Sequence, residues 1–222
     1  GLSKVGMLSG SGGFGKSCQK NANALASGAG IEILADETHG KGDTDMTPQI
    51  TKIKGTAGVQ TFLYCGFGAA TSIVAKNVKQ LGLDVPHYQT HGSASMKFVN
   101  GAEGAAEGVR LPAAALLVVD QLADDHPQKA VASAYKAAYE TRYKDSISTF
   151  GGHAYDGLLI ATNAITSVGS TDKEAVRAAI EKTNNLVGVD GIFSMSADDH
   201  LGLNNDSFVM VEVKDGGWKL VK

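Results

Sequence analysis

The sequence is short of the features that mark several classes of protein. Its 222 residues include two cysteines, Cys18 and Cys65, which are too few for a disulfide framework and are most simply interpreted as free, small apolar residues. The longest apolar run, around residues 111–119, is short and contains a proline, so a transmembrane helix is not expected. The chain also has no large excess of charge of either sign, since it contains 20 lysines and arginines and 23 aspartates and glutamates. That balance argues against binding to nucleic acid or to an anionic membrane.

The usual patterns of metal sites and of serine hydrolases are missing as well. The six histidines are scattered along the chain and form neither H-E-x-x-H nor a close cluster with cysteine. No G-x-S-x-G motif is present. We therefore predict no metal site and no cofactor.

The stretch KVGMLSGSGGFGKS, residues 4–17, allows two interpretations. It predicts an apolar strand that runs into a glycine-rich turn and then a helix. Residues 10–17 also satisfy G-x-x-x-x-G-K-S, the phosphate-binding loop of nucleotide hydrolases, in which Lys16 would contact phosphate. Such an enzyme needs a second strand that ends in aspartate to hold magnesium. The run LLVVD at 116–120 has that form but precedes a linker rather than a helix, so a P-loop NTPase is kept as the alternative.

Up to residue 111, apolar strand-like segments alternate with helical ones. Strands are predicted at 5–8, 31–35, 59–65, 85–89 and 108–111, and helices at 16–26, 46–53, 71–81 and 95–99. This alternation is typical of an α/β fold with a parallel sheet covered by helices on both faces. Ligands of such sheets bind beyond the carboxyl ends of the strands, which predicts a site at the turns 9–15, 66–70 and 90–95. His91 is the histidine to single out there, although a turn histidine bonded to the backbone fits equally well.

The second half of the chain has a different pattern, in which helical segments come first and strands follow. Helices are predicted at 130–143, 149–168 and 170–182, followed by strands at 191–194, 208–213 and 218–221 in a meander or hairpin. The helix at 149–168 is apolar enough to be buried on most sides. Three tyrosines at four-residue intervals, Tyr135, Tyr139 and Tyr143, predict a packed helix face in preference to a binding surface.

Seven segments then follow one another in a recognisable order: KVGMLSGSGGFGKS, GDTDMTPQITKIK, LGLDVPHYQTHGSAS, AAEGVRL, AYDGLLIATNAI, GSTDKEAVRAAIE and GIFSMSADDHLG. In this ordered series the whole chain resembles the periplasmic solute-binding proteins of the leucine/isoleucine/valine-binding type, the receptors of branched-chain amino acid ABC transporters. The resemblance implies a type I periplasmic-binding-protein fold, in which two α/β lobes joined by three crossovers close on a ligand.

The resemblance also assigns parts of the chain to lobes. Residues 1–111 are expected to form the parallel sheet of the second lobe, with 112–127 as a crossover. Residues 128–190 would be helices of an incomplete first lobe, and 191–222 strands that return to the second lobe. The family's first lobe begins before the point where this chain starts, so we expect a mature, trimmed or fragmentary chain that lacks a signal peptide. The apolar faces that this leaves uncovered favour self-association.

Candidate site residues follow from the resemblance by position. Phe14 stands where the family has an aromatic residue that stacks on the ligand. Phe67 and Gly68 fall in the loop after the third strand. His91 and Gly92 fall where amino-acid binders have an acidic residue and a glycine. That acid pairs with the ligand's ammonium, and histidine replaces it poorly, which makes an aromatic or other apolar carboxylate a serious alternative ligand.

Two further candidates, Phe150 and Tyr155, lie at the start of the helix at 149–168 and are expected to reach the cleft, with core packing as the alternative for Tyr155. The family's strand order would also bring Cys18 close to Cys65, and an exported protein permits a disulfide between them. We hypothesise such a bridge.

The resemblance therefore implies a binding protein without catalytic residues, not an enzyme. It would be a periplasmic or extracellular receptor that delivers a hydrophobic amino acid or an aromatic acid to an ABC permease in the membrane. A sensory ligand-binding domain of the same fold is the other alternative, beside the P-loop NTPase.

Overall fold

The computed structural model describes residues 1–221, which divide into two units. Unit 1 comprises residues 1–112 and 211–219, and unit 2 comprises residues 113–210 with 220–221. The elements that begin in unit 1 are β1 Lys4–Gly10, α1 Gly13–Ala26, β2 Glu32–His39, α2 Thr47–Gly55, β3 Thr61–Cys65, α3 Ala69–Leu81, β4 His87–Gln89, α4 Met96–Gly101 and β5 Arg110–Ala114. The later elements are α5 Lys129–Tyr143, α6 Thr149–Val168, α7 Lys173–Ile180, β6 Leu186–Val187, β7 Ile192–Phe193, β8 Phe208–Lys214 and β9 Gly217–Leu220.

A seven-stranded sheet in the order β2-β1-β3-β4-β5-β8-β9 forms the centre of unit 1. The first five strands of the chain pair in parallel, as the alternating pattern predicts. One face of the sheet packs against α2 and α3, which interleave Ile50, Ile53 and Val74 with Phe62 and Tyr64 of β3. Burial of such side chains from both layers is the main term that stabilises this unit.

The second strand is longer than predicted. The apolar pattern predicts a strand that ends at residue 35 and a polar segment over 37–45, but β2 continues to His39. Because β2 is an edge strand, most of its side chains are only partly buried and its outer half is polar. The second half of this strand was therefore not predicted, because its residues are mostly polar.

The crossover predicted at 112–127 is more structured than expected. Its first residues belong to β5, and residues 115–121 form a 3₁₀ helix. The run LLVVD is thus not a strand, and Asp120 forms an ion pair with Lys136 of α5. The P-loop alternative consequently loses the strand-end aspartate that would hold magnesium.

Unit 2 consists of α5, α6 and α7 with a two-stranded antiparallel sheet of β6 and β7. The terminal strands of 191–222 were all predicted to return to the large sheet, whereas β7 pairs with β6 in a separate sheet and only β8 and β9 join the large one. The reason is that β6, only two residues long, carries no strand pattern of its own. The assignment of the unit 2 helices to an incomplete first lobe remains a prediction.

Helix α6 is buried along one stripe only, which corrects the prediction of burial on most sides. Gly152, Asp156, Ile160 and Ala164 recur at four-residue intervals and are buried. The opposite face carries Leu158, which is 64% exposed, and Ile165. Over the described residues no helix is long and apolar enough to cross a membrane.

The buried stripe of α6 holds a carboxylate that organises the adjacent loop. The Asp156 side chain accepts hydrogen bonds from the backbone N–H groups of Val189 and Asp190, both at 2.8 Å. The Asp190 carboxylate lies over Gly152 and 2.7 Å from Nδ1 of His153. Burial raises the pKa of Asp190, and the nearby carboxylate raises the pKa of His153.

This pair predicts a specific dependence of stability on pH. A raised histidine pKa means that the folded state holds the proton more tightly, so the stabilisation is complete at pH 6 and is lost as pH rises through the folded pKa, above 6.5. His153→Gln should therefore lower the free energy of unfolding by about 1–2 kcal/mol at pH 6, less than for a fully buried pair because His153 is half-exposed. The difference should shrink by pH 8.5, which thermal denaturation at the two pH values will measure.

His200 offers a matched control. It lies 3.1 Å from Glu181 in an ion pair in which both side chains are solvent-accessible. His200→Gln should change stability by less than about 0.5 kcal/mol at either pH. A His153→Gln penalty that is the same at pH 6 and pH 8.5 would contradict the assignment.

Candidate functional site

The carboxyl ends of β1, β3 and β4 lie side by side. In the parallel registers Ser9 is opposite Cys65, and Tyr64 is opposite Gln89. The three turns that follow these strands, at 9–15, 66–70 and 90–95, therefore share one edge of the sheet. This is the edge at which parallel α/β sheets bind ligands.

Three aromatic rings from the three turns meet at this edge. The Phe14 ring contacts the Phe67 ring edge-on, with centroids 5.7 Å apart, and the His91 ring in the same manner at 5.4 Å. Phe67 is 61% exposed, so the cluster presents apolar surface to solvent. Phe14, Phe67 and His91 were each predicted separately as ligand-binding residues, and the structure places their rings in contact.

The two candidate glycines have structural roles beside this aromatic cluster. Gly92 is buried, and a Cβ there would overlap the carbonyl oxygen of Gly66 and lie 2.8 Å from Cβ of Phe67. Gly68 has a φ of +72°, a left-handed conformation that favours glycine, and immediately precedes α3. Gly92 thus lets two turns come close together, whereas Gly68 serves the backbone conformation alone, since nothing lies within 4 Å of a Cβ built there. Direct contact with a ligand stays a prediction for both.

Two helices start at the aromatic cluster without a side-chain cap. Helix α1 begins at Gly13 and α3 at Ala69, and neither has an acidic residue in its first turn. The first N–H groups of a helix lack partners within the helix and carry partial positive charge. The site therefore offers backbone donors that suit an anionic or polar group.

A buried pair of side chains lies beneath two of the turns. Nδ1 of His39 is 2.8 Å from the Gly40 carbonyl oxygen, which can only accept, so Nδ1 carries the proton. Nε2 then accepts from the Tyr64 hydroxyl at 3.0 Å. Gly66 packs against the Tyr64 ring, and Gly10 lies close to Nε2 of His39. Burial raises the pKa of Tyr64, which stays protonated and keeps this hydrogen bond.

The turn that carries His91 is anchored by a second buried network. Gln89 donates from Nε2 to the Thr71 carbonyl at 3.2 Å and accepts from the Ser93 hydroxyl. Neighbouring His87 is buried, which lowers its pKa to about 3 and keeps the ring neutral. Neither supporting network was predicted from the sequence, and the signal for the second was the pair of polar residues His87 and Gln89 in the three-residue strand β4.

The other two candidates lie in unit 2, on α6. Phe150 is 50% exposed, and its ring centroid is 6.5 Å from that of His153. Tyr155 is 40% exposed and lies 5.1 Å from Tyr135, the first of the three tyrosines on α5. Neither is a core residue, and a contact with ligand remains a prediction for both.

Cys18 of α1 and Cys65 of β3 form a disulfide, with their Cα atoms 6.0 Å apart. The pairing that the resemblance implied is thus present, and the simpler interpretation of two free cysteines is wrong. Among residues 1–221 no group of three or more histidine, cysteine or acidic side chains could hold a metal ion.

Comparison with known proteins relates nearly the whole chain to one family of binding proteins. A family model described as periplasmic binding protein matches residues 1–217. A leucine-, isoleucine-, valine-, threonine- and alanine-binding protein of Pseudomonas aeruginosa is 26% identical over 201 residues, which are 90% of this chain and 50% of that protein. The chain thus spans half the length of this curated relative.

Solved structures share the fold. An extracellular ligand-binding receptor from Rhodopseudomonas palustris HaA2 is 27% identical with a TM-score of 0.93, over 100% of this chain and 64% of that one. The substrate-binding protein LivJ of a branched-chain amino acid transporter from Streptococcus pneumoniae, in complex with isoleucine, is 24% identical with a TM-score of 0.79, over 100% of this chain and 60% of that one. The mixed α/β architecture with its mostly parallel sheet is that of type I periplasmic binding proteins.

Proposed function

The chain belongs to the periplasmic binding protein family, and from that premise we propose that it is part of an extracytoplasmic receptor that delivers a small apolar carboxylate to an ABC permease. The relatives are named as binding proteins and receptors, and we propose a binding role without catalysis for this chain as well. The observation that carries the proposal is the aromatic cluster of Phe14, Phe67 and His91 at the ligand-binding edge of the sheet.

The chemistry of the three turns favours an anionic or aromatic ligand group over an ammonium. Residues 9–15, 66–70 and 90–95 contain no aspartate or glutamate. A buried ammonium needs a carboxylate partner, and His91 stands where the resemblance implies one. The rings offer stacking surface, and the uncapped starts of α1 and α3 offer donors. A benzoate-type acid satisfies all of these groups, whereas a hydrophobic amino acid leaves its ammonium unpaired on this side.

Calorimetry on the full-length gene product tests the ligand class. Titration with L-isoleucine, L-phenylalanine and benzoate should show benzoate as the tightest of the three. His91→Glu should reverse the order, because the carboxylate pairs with an ammonium and repels benzoate, with a change in relative affinity of about tenfold or more. Failure of all three to bind would contradict the ligand class, and an amino acid that binds more tightly than benzoate would contradict the role given to His91.

The alternatives are less well supported. The P-loop interpretation lacks a strand-end aspartate, because Asp120 lies in a 3₁₀ helix, and Lys16 is exposed. A sensory domain would share this fold and this site. Self-association stays a prediction, which the exposed apolar residues of α6 support.

A further inference from the structure

The disulfide joins α1, which carries Phe14, to the end of β3, just before the turn that carries Phe67. Phe14 lies one helical turn before Cys18 on α1, and Phe67 lies two residues beyond Cys65. The two rings are in edge contact at 5.7 Å. The covalent bond is thus close to both partners of this contact, at the edge of the sheet where Phe14 also meets His91.

Helix α1 has little apolar burial to hold it on the sheet. Of its 14 residues only Gly15 is buried, and Leu25 is 70% exposed. By contrast α3, which packs on the same sheet, buries six residues. Since apolar burial is what normally fixes a helix on a sheet, α1 depends on other restraints.

The polar contacts of α1 with the sheet lie at its surface. Gln19 Nε2 donates to Asp36 Oδ1 at 2.7 Å, and Asn23 Nδ2 donates to Asp36 Oδ2 at 2.9 Å. Exposed hydrogen bonds of this kind add little, because water competes for the same groups. Beyond the close approach at Gly15, the disulfide is therefore the strongest restraint on the helix.

We propose that Cys18 and Cys65 are positioning residues, whose disulfide holds α1 so that Phe14 stays against Phe67 and His91. The proposal rests on the proposed function in one respect, that this cluster is the ligand site. A dithiol reductant breaks the bond by giving one electron and one proton to each sulfur, and is itself oxidised to a disulfide. In the reduced protein α1 loses its covalent tie, and Phe14 leaves the cluster for part of the time.

Hydrogen exchange tests the positioning role without any ligand. Oxidised protein, dithiothreitol-reduced protein and Cys18→Ala are compared well below their melting temperatures. Cys18→Ala leaves buried Cys65 in place, and alanine favours the helix. Amides of residues 16–26 should exchange about tenfold faster or more in the last two samples, whereas those of β1, β3 and α3 keep their protection. Ser17→Ala, an adjacent exposed substitution, should exchange like the oxidised protein.

Two results would overturn the proposal in this experiment. Unchanged exchange across α1 would show that the helix needs no covalent tie. Protection lost equally in α1 and in the strands would show a bond that stabilises the unit as a whole and does not position one element.

Ligand affinity provides the second measurement. Calorimetry with benzoate and with L-isoleucine on the full-length gene product should show binding at least about fivefold weaker after reduction and in Cys18→Ala. Equal affinity in the oxidised and reduced forms would overturn the positioning role. If oxidised protein binds neither probe, the proposed function fails, and the exchange rates of α1 alone decide the role of the disulfide.

Discussion

Replacing Phe14 by alanine should weaken ligand binding roughly thirtyfold, which corresponds to about 2 kcal/mol. Phe14 is the central ring of the cluster, because it contacts both Phe67 and His91 while those two rings approach it from different turns. Removing it takes away one apolar wall and also the surface against which the other two rings rest. Large aromatic residues at the centre of a contact surface commonly carry this much of the binding free energy.

The fold itself should tolerate the substitution. Phe14 is only half-buried, in the first turn of α1, and alanine has the higher helix propensity. Calorimetry with the tightest of the three probe ligands measures the affinity, and thermal denaturation checks that stability changes little. Leu25→Ala is the matched control, since Leu25 is an exposed apolar residue at the other end of the same helix. An affinity for Phe14→Ala equal to that of Leu25→Ala would remove the aromatic cluster from the site.

The candidate site could be predicted from the sequence because the topology of a parallel sheet largely determines where its loops meet. Once apolar strands alternate with helices, the carboxyl ends of neighbouring parallel strands must lie at one edge. Phe14, Phe67 and His91 each follow such a strand directly, so their meeting follows from the strand order. That β3 lies beside β1 was implied by the family resemblance and not by any local pattern, and the structure adds that β2 flanks β1 on its other side.

The supporting residues could not be predicted in this way. His39 lies at the end of an edge strand whose polar composition hid it, and its partner Tyr64 has the pattern of an ordinary core residue. Asp156 and Asp190 are far apart in sequence and meet only because a loop folds back on α6. Buried polar contacts between distant residues leave no periodic signal, whereas apolar faces do.

A different limit applies to α6. Its apolar composition predicts burial but does not say what covers each face. Leu158 and Ile165 are apolar yet exposed, and the chain spans 60–64% of its structural relatives. The composition of a helix face indicates that it favours contact with apolar surface. Whether that contact is made depends on which helices and strands lie next to it.

Replacing Gly15 by alanine should be among the most damaging single changes in unit 1, with a loss of about 3 kcal/mol in the free energy of unfolding. A Cβ at this position would overlap the carbonyl oxygen of Gly10 and lie 2.7 Å from its carbon and 2.8 Å from its nitrogen. All three are backbone atoms at the end of β1, so no side chain can rotate away. Helix α1 would have to lift off the strand, and Phe14 would leave the aromatic cluster with it.

Gly13→Ala is the matched control for this prediction. It adds the same methyl group in the same turn of α1, where nothing lies within 4 Å, and should leave stability unchanged or slightly higher. Urea denaturation of both variants gives the difference, and equal stabilities would refute the close approach. Gly10 and Gly15 are also the two glycines of the G-x-x-x-x-G-K-S pattern at residues 10–17. In a phosphate-binding loop these glycines would serve a nucleotide, whereas here Gly15 lets a helix approach the strand end closely enough to place Phe14 beside Phe67 and His91.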